Sequence, residues 1–434
     1  MTVHILNLTR SFLIFLAVAL MVIPTALARD HFVDPEASAD VANGSKGAPW
    51  RSLQTLLDEN VIQSGDRVIL AGGSYGRLVI QNKALSDTTW IVAAEGQQAI
   101  FENLEIRGSA NWALMGLTVT SKGMRKSEEK YHVRIDKNSR NIKIVGFTIY
   151  TVEDITDWSA DDWNEKALDG IFSEADYTDI HENKIRNVNF GISTLGAHSS
   201  VVGNEVKNFS GDGLRGLGDH SLFEGNVVKN CYQVNPNHSD GFQSWSVGAD
   251  GRPGTGVIKD VTLRRNLIVN YEDFYQPYAC KLEGIGMFNG VYEDWTIENN
   301  IIVVDNWHGI SVFGAKNVRI KNNTVMDIDY FPPGPATITI ISVAGDDPAE
   351  ASLIANNIAN EIKIEGDGVE RFGNLEIDDL DDVFVDIDDG DYQLPKDSEA
   401  IDNGVPDPAM TVDFFGHPRP AGKGPDVGAV ERQN

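Results

Sequence analysis

The stretch "SVVGNEVKNF", Ser200 to Phe209, decides the fold once it is set beside its neighbours. The segment before it, "DIHENKIRNV", and the one after, "SLFEGNVVKNC", place an asparagine at the same point, just ahead of a short apolar stretch. "VTLRRNLIVNY", "WTIENNIIVVDN", "VRIKNNTVMDI" and "SLIANNIANEI" continue the column, which reads Asn183, Asn204, Asn226, Asn266, Asn300, Asn323 and Asn357. A second column is a glycine followed by an apolar residue: Gly170, Gly191, Gly213, Gly241, Gly284 and Gly309. The interval from glycine to asparagine is 13 residues in the first three units, then 25, 16 and 14. Two columns held in phase, with a period near 21 or 22 residues, are the mark of a solenoid.

Each unit contains two or three short β-branched runs separated by Gly, Asn and Asp, and none carries an amphipathic helix. The pattern predicts an all-β, single-domain right-handed parallel β-helix, with one coil per unit and coils about 4.8 Å apart. Asparagines at one corner of successive coils would then bond their side-chain amides up and down the stack. Looser coils precede them ("LVIQNKAL", "FENLEIRGS", "WALMGLTVTS", "IKIVGFTIY"). The expected organisation is a signal peptide over 1–28, an N-terminal lead-in and cap over 29–72, coils over 73–370 and a C-terminal capping segment over 371–434. "PWRSLQTLLDENV", Pro49 to Val61, is the best helical pattern and predicts a lid on the first coil.

The first 28 residues hold one basic residue, Arg10, then an apolar run from Phe12 to Ile23 and an Ala26-Leu27-Ala28 cleavage pattern. That reads as a secretory signal, with an uncleaved anchor as the alternative, and places the protein outside the cell or in the periplasm. No later run approaches the roughly 20 apolar residues of a membrane span. A formal charge of −28 argues against nucleic acid as a partner and against acidic glycans, unless cations intervene. The expected partner is a polysaccharide, met by a monomer. Two cysteines, Cys231 and Cys280, leave a disulfide open.

Two further segments carry a family resemblance. "GAPWRSLQTLLDENVIQSGDRVILAGGSYG" resembles the N-terminal start of secreted right-handed parallel β-helix proteins, and "DFFGHPRPAGKGPDVGAVE" resembles their C-terminal closure. The group is dominated by polysaccharide lyases, polygalacturonase-like hydrolases, uronate epimerases and phage depolymerases. The resemblance implies fold and broad class. The lysine–arginine strings of alginate and chondroitin lyases and the polygalacturonase acid motifs are not intact here, so no catalytic residue is carried over.

The candidate site comes from stacking. Residues directly before the column glycines read Asp169, Phe190, Asp212, Asp240, Glu283 and His308, and four of the six are acidic. Asp-Gly is ordinary turn chemistry, yet stacked carboxylates repel, a cost a purely structural column would avoid. In register, Asp212 and Asp240 would lie about 5 Å apart, side by side in one open groove. The next outward position puts Arg215 beside Gln243. Insertions over 231–239, 245–256 and 271–282 would wall that groove. They bring Tyr232, His238, Trp245, Tyr271, Tyr275, Tyr278 and Lys281, and a Cys231–Cys280 bridge could tie two of the walls.

The leading expectation is a lyase cleaving a uronate-containing polysaccharide by β-elimination. This needs a cation for the carboxylate, a base for the C5 proton and a donor for the leaving oxygen. Arg215, or Ca²⁺ held by Asp212 and Asp240, supplies the first, and Lys281, His238 or a loop tyrosine the others. Gln243, Trp245, Tyr232, Tyr275, His308, Glu283 and Asp169 are the expected substrate contacts. A glycoside hydrolase using the Asp212–Asp240 pair stands close behind, since carboxyls about 5 Å apart suit retention. A uronate C5-epimerase and a non-enzymatic glycan-binding protein stay open.

Overall fold

The computed structural model describes residues 28–38, 42–329, 331–342, 351–387 and 389–433. The expected signal peptide therefore lies outside the described residues except for Ala28. Its coil is seen best where the sequence is most regular. Leu222–Glu224 forms one strand, Asn226 turns the corner, Val227–Cys231 forms the second, and Asp240–Trp245 the third. Each pairs in parallel with its counterpart one coil on: Leu222 with Thr262, Val227 with Leu267 and Asp240 with Glu283. Repeated along the chain, this gives a right-handed parallel β-helix. Among the described residues, 13 strands form one sheet, and 23 form a second that wraps the other two sides. Strand pairing begins with Asp30–Val33 and ends with Leu375–Glu376.

One side chain per short strand points inward. Phe223, Val228 and Phe242 from one coil are all at most 1 % exposed, and a single apolar column runs from Val33 to Ile362. The asparagine column is a continuous ladder. Asn183 Nδ2 donates to Asn204 Oδ1 at 2.8 Å, and the links through Asn226, Asn266, Asn300, Asn323 and Asn357 to Asn374 are each 2.9 Å. Each Oδ1 also accepts the backbone N–H of the asparagine one coil earlier, as Asn226 does for Asn204 at 3.0 Å. A second, shorter ladder stands at the next corner. Asn187, Asn208 and Asn230 adopt φ of 56°, 55° and 64°, a left-handed region asparagine tolerates, and their amides join at 2.9 and 3.3 Å.

The glycine column is steric. A Cβ on Gly191 would lie 2.3 Å from the Gly213 carbonyl and 2.6 Å from Val206, and one on Gly284 would lie 2.1 Å from the Gly309 carbonyl. Only glycine lets the third strand start that close to its neighbours.

Helix α1, Leu53–Asp58, falls inside the expected span; Ser52 caps it by accepting the Thr55 N–H, and Leu53, Leu56 and Leu57 join the core. Helix α2, Ala160–Lys166, was not expected; Ser159 and Asp162 form a capping box at its start and Trp163 is buried. The C-terminal segment differs from the end cap expected of it. Val383, Phe384, Tyr392, Leu394 and Val427 pack on the outward faces of Leu267, Ile301 and Ile358. Polar links follow the same flank, from Asn356 to the Val405 carbonyl at 2.8 Å and from Asn299 to that of Val412 at 3.0 Å. The segment runs back along the stack because apolar residues on those strands face outward and need cover. Among the described residues no helix is long and apolar enough to cross a membrane.

Candidate active site

Third strands starting at successive coils bring the acid column together. Asp240 pairs in register with Glu283, and its backbone N–H donates to Asp212 Oδ1 at 3.2 Å. Arg215 pairs in register with Gln243. The Arg215 Nε bonds Asp212 Oδ2, while its guanidinium lies 3.7 Å from the Phe190 ring centroid and 5.3 Å from that of Trp245. Gln243 Nε2 donates to Asp240 Oδ2 at 2.9 Å. The imidazole of His238 lies over the same carboxylate, with Nδ1 3.2 Å from Asp240 Oδ2 and 3.9 Å from Glu283 Oε2.

The two aspartates are not open to solvent, which corrects the expected groove-lining pair. Asp212 is 1 % and Asp240 0 % exposed, because Arg215 and His238 cover them. The His238 side chain is 59 % exposed and the Arg215 side chain 21 %, and these groups face solvent above the acids. Burial pushes the carboxyls of Asp240, Asp212 and Glu283 above their ordinary range, and the charges of Asp212 and Glu283 add to the effect on Asp240. The hydrogen bond to Asp240, reinforced by the surrounding acids, raises His238 to about 9. Asp240 Oδ1 and Glu283 Oε2 are buried with no hydrogen-bond partner. A Cβ on Gly286 would lie 2.0 Å from Asp240 Oδ1, so that glycine makes room for the acid.

Calcium held by Asp212 and Asp240 does not match this arrangement. Both oxygens of Asp212 are already engaged, by Arg215 and by the Asp240 amide. The donor atoms that do converge, within 4.8 Å of one another, belong to His238, Asp240 and Glu283, and a second group joins Asp305, Asp327 and Asp329. Both acidic groups could hold a metal. The first, with an imidazole nitrogen among its donors, is not the all-oxygen set that calcium favours.

The other expected residues fall in several places. Lys281 bonds Asp305 rather than Asp240. His308 lies two strands beyond Asp240, shares a 2.8 Å hydrogen bond with Ser311, and is lowered to about 4, chiefly by burial. Asp169 is buried and accepts from Asn189 at 2.8 Å. Tyr275 is 86 % exposed on its loop. Tyr232 corrects the sequence reading: it does not line the groove but stacks on Trp163 at 4.6 Å. The loop carrying it is drawn onto α2 by bonds from Asn164 to the Val234 carbonyl and from Asn235 to Asn164. The Cys231–Cys280 disulfide is formed and joins the first and third loops. Trp307 and Phe331, which the sequence reading does not single out, are exposed aromatics outside the regular coils.

Residues 169–379 match the family described as right handed beta helix region. No curated protein is matched by sequence. Similar solved structures include pectate lyase Pel9A, with 15 % identity over 93 % of this chain and 96 % of that one and a TM-score of 0.47. A rhamnogalacturonan lyase gives 12 % identity over 83 % and 91 %, TM-score 0.47. A GH136 lacto-N-biosidase from Eubacterium ramulus gives 12 % over 80 % and 67 %, TM-score 0.48. Likenesses this distant say nothing of the reaction.

Proposed function

We propose that the protein is a polysaccharide lyase that cleaves a uronate-containing glycan by β-elimination. One observation carries the reading: on a chain of charge −28, buried acids hold a cation, Arg215, and an imidazole, His238, at the solvent face of one site. The acidic chain would repel a polyanion, and Arg215 supplies positive charge where the substrate carboxylate would sit. Arg215 keeps guanidinium N–H donors beyond the Nε it spends on Asp212, and Phe190 and Trp245 hold its plane for a uronate carboxylate. His238 faces Asp240 through Nδ1, which orients Nε2 outward and strengthens it as a base. In this mechanism Nε2 takes the C5 proton, the C5–H electrons form the C4=C5 bond, and the C4–O bond breaks. The imidazolium then returns the proton to the leaving oxygen.

Glu283 supports a second reading. Its carboxyl is raised by burial, its side chain is 12 % exposed, and it stands beside Asp240, giving the two carboxyl groups that a glycoside hydrolase needs. Incubation with polyuronates and neutral glycans decides between them. Elimination raises the absorbance of unsaturated uronate together with reducing ends. Reducing ends without that absorbance would replace the lyase reading by the hydrolase.

A further inference from the structure

A second cluster lies one corner away and shares no residue with the His238 site. Asp305 follows the strand Ile301–Val304, and Asp327 ends the strand Thr324–Asp327, paired with Val304 one coil earlier. Asp329 follows two residues on. One carboxylate oxygen from each of the three lies within 4.8 Å of the other two. Asp305 is only 4 % exposed and its Oδ1 has no hydrogen-bond partner, so a buried anionic oxygen stands unsatisfied among like charges. Leaving such a group unpaired is costly. Among the described residues, Lys281 is the cation bonded within the cluster, its Nζ donating to Asp305 Oδ2.

We propose that Asp305, Asp327 and Asp329 bind a hard divalent cation of calcium's size. The donor set is all carboxylate oxygen, which suits calcium rather than a softer metal. The ion would satisfy Asp305 Oδ1, offset the mutual repulsion of the acids, and pin the corners of two successive coils together. It would also compete with Lys281 for Asp305, so that cation binding and the Lys281 ion pair oppose each other.

The test is calorimetric titration of chelator-treated full-length protein with CaCl₂, paired with thermal unfolding. Binding is expected with a dissociation constant on the order of 10⁻⁴ M, the range of weak extracellular sites, and with a higher Tm in calcium. Asp305→Asn and Asp327→Asn should each weaken binding at least about tenfold. Lys281→Met should tighten it several-fold, a gain that misfolding cannot mimic. No binding by the wild type would overturn the proposal. So would binding that survives Asp305→Asn with Asp327→Asn but is lost in Glu283→Gln, or Lys281→Met weakening it.

Discussion

Two corners of the same coils use stacking in opposite ways. At the asparagine corner, neutral amides repeat from Asn183 to Asn374, and every link closes at 2.8–2.9 Å. At the glycine corner, the same repeat sets Asp212, Asp240 and Glu283 one above another, and leaves Asp240 Oδ1 and Glu283 Oε2 buried without partners. An amide carries both a donor and an acceptor, so a stack of amides satisfies itself. Carboxylates only accept when ionised, so a stack of them raises its members' proton affinity and draws cations to its mouth. The coil is held by the first ladder. The second is a reservoir of charge and protons.

The sharpest way to separate these roles is His238→Ala. The side chain is largely exposed, so above about pH 9, where its charge no longer contributes to stability, Tm should hardly move, while turnover on a polyuronate falls by roughly 10³-fold, as loss of a general acid–base group does. A parallel collapse of Tm would make His238 structural. Asn226→Ala should do the reverse. It removes links to Asn204 and Asn266 and takes the acceptor from the buried Asn204 backbone N–H, costing about 3 kcal/mol by the measure of unsatisfied buried groups. Denaturant unfolding reads that loss, and the surviving folded fraction should keep its kcat. A smaller effect is expected of Arg215→Lys. It keeps the charge but gives up the fork and the stacking on Phe190, so KM for the polyuronate should rise about tenfold. An unchanged KM would remove the arginine from substrate binding.

The two corners were also unequally legible. The asparagine ladder could be read directly because it is one residue type at one phase, and coils of constant length keep that phase. The shorter ladder of Asn187, Asn208 and Asn230 was equally present in the letters, as the second asparagine of "KIRNV", "EVKNF" and "VVKNC". It was missed because asparagine in a loop has many meanings. The acid column was located correctly in sequence, but its burial was not foreseen. Whether Asp240 meets water depends on where His238 turns, and that position lies in an insertion without a repeat. Tyr232 was misread for the same reason: α2, whose sequence is not part of any coil, takes it away from the groove. The cluster of Asp305, Asp327 and Asp329 joins residues at the same corner of two successive coils, with Asp305 and Asp327 22 residues apart, and only the strand register brings them together.

Asp240→Asn probes the glycine corner through the pH dependence of stability and activity, with a clear direction. His238 is raised from its ordinary 6.5 to about 9, first by its bond to Asp240. A raised histidine stabilises the folded state fully below its unfolded value, and the contribution is lost as pH climbs through about 9. Asp240 is itself raised, so its bound proton also favours the folded state at low pH, and that contribution likewise falls as pH rises. Both slopes have the same sign, so the wild type should lose stability between neutral pH and about 9. Asparagine removes the bond that holds the imidazolium and the buried carboxyl together, so Tm should vary less with pH over that range. Because the base acts unprotonated, wild-type activity should climb with pH toward about 9, and in Asp240→Asn the rise should move toward neutral pH at lower overall turnover. A rise that stays in place would mean that the group taking the proton is not the histidine Asp240 holds.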